Sequence, residues 1–378
     1  MNLPSLDSPP QDLEAGSSIP ATNEARDTEQ SISTDKHIQH DGSARSFTGT
    51  APHGAIQSCN TNIVELLLRQ GVPIEAMDKA SNTSLHLAAQ SGHTDIVELL
   101  LGEGAPIDAI GKGNHTPLHL AAQNGCTSVV ELLLRKGALI GAMNTYNNTP
   151  LHYAVWKGCI STVKLLLEKG ASIEAVNINN NTSLHLAAQC GNTDMARLLL
   201  GKGASITAVD KGNNTPLHYA TWKGCTTTVE LLLANGVSVG AMDKDNNTAM
   251  HLAAQRGHAS IVQLLLRSGA LIQATNTNSQ TPLHYAAQNG HTSLVQLLLD
   301  EGASTDSVDK ENNTPLHLAA WNGHSGVVEL LFEKCAQIEA TNTDNDTPMH
   351  LAAQIGHTDI VKFFINNGAR FAVPKNRV

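Results

Sequence analysis

The sequence predicts an all-α solenoid of short helix–turn–helix units, preceded by a disordered N-terminal tail. Three observations carry this. Thr83, Thr116, Thr149, Thr182, Thr215, Thr248, Thr281, Thr314 and Thr347 recur every 33 residues, with no insertion or deletion. Each opens a variant of T-P-L-H-[LY]-A-A-Q-x-G-H, and each is followed by a second apolar segment such as DIVELLL (95–101) or SVVELLL (128–134). A fixed period of this length marks a stacked array of repeats.

The first element in order is the head, residues 1–49. It holds twelve Ser or Thr, four Pro, one aromatic (Phe47), and eight acidic against three basic residues, a net charge of −5. So little apolar surface cannot offset chain entropy, and a disordered, Ser/Thr/Pro-rich acidic tail is expected. Ser8-Pro9 is a weak candidate for proline-directed phosphorylation.

The repeat follows from local chemistry. Thr is a good N-cap, and Pro suits the first helical position, where its missing N–H is no loss. Leu, Leu or Tyr, and Ala-Ala give a short helix with one apolar face. Gly92, Gly125, Gly158 and their counterparts end it. The second helix carries Val or Ile and three Leu, and stops before Gly104, Gly137, Gly170 and their counterparts. A D/N-K-x-N-N turn closes the unit, where Asn tolerates the left-handed conformation. Neither helix is longer than about ten residues, so each must bury its apolar face on its neighbours.

Thirty-three residues with T-P-L-H-x-A-A, a Gly-ended first helix, an L-L-L second helix and a turn tip resemble the ankyrin repeat. The resemblance covers residues 50 to about 372, as ten units starting near 50, 83, 116, 149, 182, 215, 248, 281, 314 and 347, with a tail at 373–378. The first unit is degraded, with APHGAIQSCN in place of TPLHLAAQNG, as an N-terminal cap would be. The last has VKFFI for VELLL and adds Arg370, Phe371, Lys375 and Arg377, as a C-terminal cap would. The family's usual turn Gly is Asn at Asn147, Asn180, Asn213 and Asn246. NNTPLHYAVWKGC (147–159) and NNTPLHYATWKGC (213–225) are matching halves of a duplicated 66-residue pair.

Composition narrows the function classes. A net charge of −10 argues against broad attraction to nucleic acid or anionic membrane. No apolar run nears the roughly 20 residues of a membrane-spanning helix, and the N-terminus does not read as a secretory signal. The expectation is an intracellular protein, cytoplasmic or nuclear, monomeric and without cofactor. The six cysteines (59, 126, 159, 190, 225, 335) form no CxxC pair and read as reduced thiols, partly buried in the array.

Catalytic and metal readings fail on repetition and spacing. Ten of the eighteen histidines share the T-P-L-H slot: His53, His86, His119, His152, His185, His218, His251, His284, His317 and His350. The family resemblance implies that this His bridges its own Thr and the adjacent turn. His86/His93, His251/His258, His284/His291 and His218/Cys225 share an i, i+7 spacing, which spans about 10.5 Å on a helix. Two zinc ligands must each lie about 2.0–2.3 Å from the ion, so the spacing is wrong. No phosphate loop or HExxH motif occurs. An N-x-T pattern recurs at the turns, where turn chemistry explains it. The reading is non-enzymatic, with a metal or catalytic protein as the remote alternative.

Specificity in a solenoid lies where repeats differ. The slot seven residues after the Thr is Gln90, Gln123, Gln189, Gln255, Gln288 or Gln354, but Trp156, Trp222 and Trp321 in three repeats. By resemblance this slot faces the family's concave groove. Gln there suggests solvent, so Trp there suggests an exposed anchor. Tyr153 and Tyr219 share a helix face with Trp156 and Trp222, although their slot is otherwise Leu and also suits core packing. Lys157, Lys223 and Arg256 follow the Gln/Trp slot. Lys79, Lys112, Lys211, Lys244 and Lys310 stand at turn tips, while Glu65, Glu98, Glu131, Glu230 and Glu329 fall on the second helix. The expected partner-binding set is Trp156, Trp222, Trp321, Lys157, Lys223, Tyr153, Tyr219 and Arg256, centred on repeats 4–6. The partner is one or more proteins with an acidic and apolar docking surface, bound by a scaffold or adaptor. The alternative is a regulatory inhibitor that sequesters a transcription factor or enzyme.

Overall fold

The computed structural model describes residues 51–370. The tail expected at 1–49, and Phe371, Lys375 and Arg377, lie outside the described residues. The chain divides into two compact units between Ala171 and Ser172.

The first unit holds four helix pairs: α1 (Ala51–Gln57) and α2 (Thr61–Arg69), α3 (Ser84–Ser91) and α4 (Thr94–Gly102), α5 (Pro117–Gln123) and α6 (Thr127–Arg135), α7 (Pro150–Trp156) and α8 (Ile160–Glu168). The second holds six: α9 (Ser183–Gln189) and α10 (Thr193–Gly201), α11 (Pro216–Lys223) and α12 (Thr226–Ala234), α13 (Ala249–Arg256) and α14 (Ala259–Arg267), α15 (Pro282–Gln288) and α16 (Thr292–Asp300), α17 (Pro315–Trp321) and α18 (Ser325–Glu333), α19 (Pro348–Ile355) and α20 (Thr358–Asn366). The fold is all-α. Among the described residues there is no strand, only an isolated bridge between Met77 and Thr83. Degraded as it is, the first repeat forms both of its helices.

Each first helix from α3 onward starts with a reciprocal cap. The Thr248 N–H donates to His251 Nδ1 at 3.1 Å, and the Thr248 hydroxyl lies 3.0 Å from the same nitrogen. That leaves Nε2 to carry the proton, and it meets the Gln280 carbonyl of the next repeat at 3.1 Å. The same clasp joins His86 to His115, His119 to Asn148, His185 to Asn214, His218 to Asn247, His284 to Asn313 and His317 to Asp346. The T-P-L-H histidine is thus a capping residue and an inter-repeat rivet together. In α1, His53 is buried without a partner for either ring nitrogen among the described residues.

Turns obey their chemistry. Asn114, Asn147, Asn180, Asn213, Asn246, Asn312 and Asn345 have φ of 56–61°, the left-handed region expected of them. An Asx turn encloses each of these except Asn114: Asp210 Oδ1, for example, accepts the N–H groups of Gly212 and Asn214, both at 2.7 Å. Gly111 replaces that Asp or Asn in one turn, and a 3-10 turn at Lys112–Asn114 takes its place.

Within each unit, first helices pack on first helices and second on second, α3 on α5 and α4 on α6 for example. Small alanines such as Ala121, Ala122, Ala253 and Ala254, fully enclosed, let the first helices approach closely. The second helices contribute pairs such as Ile96/Val97 and Ile261/Val262 to the same core.

Candidate interaction surface

A second row of contacts explains the glycine that ends each first helix. One residue after that Gly stands His93, Cys126, Cys159, Asn192, Cys225, His258, His291, His324 or His357. In the second unit His291 Nε2 reaches back to the Gln255 carbonyl at 3.0 Å, His324 to Gln288 at 3.0 Å, and His357 to Trp321 at 3.1 Å. In the first unit Cys126 Sγ does so weakly, 3.6 Å from the Gln90 carbonyl. These side chains lie on the glycine of the preceding repeat. Gly257 has φ of +75°, and a Cβ there would sit 2.8 Å from the His291 ring. Cys126, Cys159 and Cys225 are half-buried, and burial pushes each thiol up from its ordinary value.

This row corrects the expectation for the tryptophans. The Gln/Trp slot is not freely solvated, because the next repeat leans over it. Gln123 is buried, and Gln90, Gln189, Gln255 and Gln288 are half-buried. Trp222 is only 9% exposed, with the Arg256 guanidinium 4.1 Å from its ring centroid. Arg256 follows the Trp slot by one repeat plus one residue, so it lies over the ring and makes a cation–π contact. Trp156, at the end of α7, is half-buried. Trp321 is 38% exposed and is the one of the three tryptophans whose ring is open to solvent as expected. Lys157, Lys223 and Arg256 are exposed. Trp156 and Lys157 belong to the first unit; Trp222, Lys223, Arg256 and Trp321 belong to the second.

The tyrosines are core residues that reach the turns. Tyr153 is fully buried, packed edge-on against His115 and His119 at 5.3 and 5.8 Å between centroids. His115 Nδ1 lies 2.8 Å from the Lys112 carbonyl and donates to it, which leaves Nε2 to accept from the Tyr153 hydroxyl at 2.7 Å. Asn144 Nδ2 donates to the same hydroxyl at 2.8 Å. Tyr219 is buried likewise, and its hydroxyl donates to Asp210 Oδ2 at 2.7 Å. Burial first, then the neighbouring Asp210 charge, raise its pKa far above the ordinary phenol value. The expectation that Tyr153 and Tyr219 present a contact surface is therefore not met: neither ring is accessible.

A row of exposed apolar residues, not singled out from the sequence, stands at the start of most of the turns, the slot being Thr only at Thr275 and Thr341. The first unit carries Met77, Ile110 and Met143, exposed by 53, 57 and 54%. The second carries Val176, Val209, Met242 and Val308 in the same slot, all exposed. The signal was present, an apolar residue repeated at one register on a polar turn. The lysines two residues further on, Lys79, Lys112, Lys211, Lys244 and Lys310, are exposed beside this row. Successive tips are tied by backbone bonds, from the Thr145 N–H to the Gly113 carbonyl (2.9 Å) in the first unit and from the Lys244 N–H to the Gly212 carbonyl (2.7 Å) in the second. The tips and first-helix ends of the first unit hold Lys79, Lys112 and Lys157 and one carboxylate, Asp78, whose Oδ1 accepts the Ala80 and Asn82 N–H groups of its own turn; those of the second hold the turn residues Asp210, Asp243 and Asp309 and add Asp245, Glu311 and Asp344. Glu98, Glu131, Glu230 and Glu329 are exposed on the second helices.

No helix among the described residues is long and apolar enough to cross a membrane. A family model described as ankyrin repeats (3 copies) matches residues 25–111, 103–177, 174–243, 225–309 and 250–344. Another, described as ankyrin repeats (many copies), matches 326–365. The first match begins upstream of the expected boundary at Thr50. No curated protein matches the chain.

Proposed function

Since the chain belongs to the ankyrin-repeat family, whose repeats are protein-interaction modules, we propose that it is a non-enzymatic scaffold or adaptor. It holds a protein segment along the turn tips and first-helix ends. The observation that carries this reading is the exposed apolar row flanked by lysines. Exposed apolar residues at one register of successive repeats, with basic neighbours, suit a partner that alternates apolar and acidic side chains. In the first unit Met77, Ile110 and Met143 supply the apolar contact, and Lys79, Lys112 and Lys157 the charge. In the second unit Trp321 is the accessible aromatic anchor, with Lys223 and Arg256 as basic contacts. Trp156, half-buried, contributes its edge. Tyr153, Tyr219 and Trp222 act from beneath, by fixing the turns and helix ends.

The test is affinity capture from native lysate with Lys79→Glu/Lys112→Glu and, separately, Trp321→Ala. All three positions are exposed, so helical content and melting are expected to hold while capture of specific partners falls. Capture that is unchanged in both proteins rejects this surface.

A further inference from the structure

The chain itself carries a segment that matches the row in the first unit. Residues 3–14 read LPSLDSPPQDLE. Leu3, Leu6 and Pro9 recur every third residue, and Pro4, Pro9 and Pro10 restrict the backbone toward polyproline II. That conformation advances about 9.3 Å per three residues. Packed neighbouring helices lie roughly 8–10 Å apart. An extended LPSLDSPP segment therefore offers one apolar side chain per repeat, in step with Met77, Ile110 and Met143. Its carboxylates, Asp7, Asp12 and Glu14, complement tips whose exposed charges are Lys79 and Lys112, the one carboxylate beside them, Asp78, being half-buried and engaged by the N–H groups of its own turn.

The connection is long enough. Between Glu14 and Ala51, where α1 begins, lie 36 residues. A flexible chain of that length has a typical span of about 30–36 Å. The row covers two repeat steps, about 16–20 Å. Tethering at such a length gives an effective concentration in the millimolar range, enough to populate even a weak contact.

We propose that Leu3–Glu14 docks back on the Met77–Ile110–Met143 row of the first unit, between Lys79 and Lys112, and competes there with outside partners. This rests on reading the row as a surface for acidic, apolar segments, and it names the first such segment. Phosphorylation of Ser8 would add charge to the same stretch and strengthen the pairing.

The methionines report directly. Met77 and Met143 lie on the row, and Met242 has the same slot in the second unit at 49% exposure. Full-length protein and Leu3→Asp/Leu6→Asp are oxidised with dilute hydrogen peroxide, and each methionine is followed by mass spectrometry. In the variant, Met77 and Met143 are expected to oxidise about twofold faster or more, as a tail bound at millimolar effective concentration is released. Met242 should keep its rate. Equal rates for Met77 and Met143 in the two proteins overturn the docking. Protection that grows with protein concentration also overturns it, in favour of a second copy as the occupant. Neither result bears on capture by Lys79→Glu/Lys112→Glu, so failure here is distinct from failure of the proposed function.

Discussion

Acid should loosen this protein through its riveting histidines, by an amount that the geometry permits to be worked out. In the clasps of His119, His185 and His251 the imidazole uses Nδ1 as an acceptor for a backbone N–H and Nε2–H as a donor, so a second proton has no place to go. Burial holds the pKa of His119 down at about 3, and those of His185 and His251 at about 4. In the unfolded chain each returns to about 6.5. Below that value the unfolded state binds more protons than the native state, so stability falls as pH falls. The contribution is complete above pH 6.5 and is lost progressively down to the folded pKa. From pH 6.5 to 5 each of these histidines costs about 2 kcal/mol, and His185 and His251 together take about 4 kcal/mol from the second unit. Urea unfolding followed by circular dichroism at pH 7, 6 and 5 measures it. His251→Gln sharpens the test, because Gln can keep the capping role yet cannot titrate. The variant should be about 1 kcal/mol less stable at pH 7, having lost the Gln280 bond, and no less stable than the parent at pH 5. A parent whose midpoint ignores pH over this range, or a variant with an unchanged pH slope, would refute the reasoning.

Two further contrasts separate surface from support. Trp222→Ala should cost about 3–5 kcal/mol, since it empties a buried site and strips Arg256 of its ring, whereas Trp321→Ala should cost about 1 kcal/mol or less. Thermal melts distinguish them, and a Trp222→Ala protein that melts like the parent contradicts the burial described above. Gly257→Ala and Gly236→Ala both force a side chain into positive φ, at +75° and +80°, but only the first meets a ring; nothing lies within 4 Å of the second. Gly257→Ala should lose about 1–3 kcal/mol more than Gly236→Ala by urea midpoint, and equal losses would dismiss the His291 contact as the reason for that glycine.

The array was legible because every repeat restates the same local rules: Thr before Pro, His three residues after Thr, Gly at the helix end, Asn at the left-handed turn. None needs a distant partner to be recognised. The surface was harder to read. Trp222 looked exposed because its slot is usually Gln, yet exposure there is set by the residue one repeat plus one position later, which in this case is Arg256. Tyr153 finds His115 38 residues earlier in the chain, a spacing that no helix periodicity announces. The Met77–Ile110–Met143 row escaped notice for the opposite reason. Its residues are ordinary, and only their shared register on exposed turns gives them meaning.

The tyrosine contacts also bear on how such a chain can change its length. The Thr–His clasps are nearly alike throughout, so they do not say which neighbour is the right one. Tyrosine occupies its slot at Tyr153, Tyr219 and Tyr285, with Leu186 and Leu252 between and Leu87, Leu120, Leu318 and Leu351 outside. A pairing out of step by one repeat would set leucine against turn groups arranged for a phenol, and would strand hydroxyls such as that of Tyr219, now bound to Asp210. A shift of two repeats sets a tyrosine in a tyrosine slot again within 153–285, where each slot supplies polar turn groups to the phenol: His115 and Asn144 for Tyr153, Asn181 and Asp210 for Tyr219, Asn247 and Asn276 for Tyr285. The tyrosines thus act as a parity mark over the middle of the array, and the smallest step that respects it is 66 residues, the length of the duplicated pair written in its sequence.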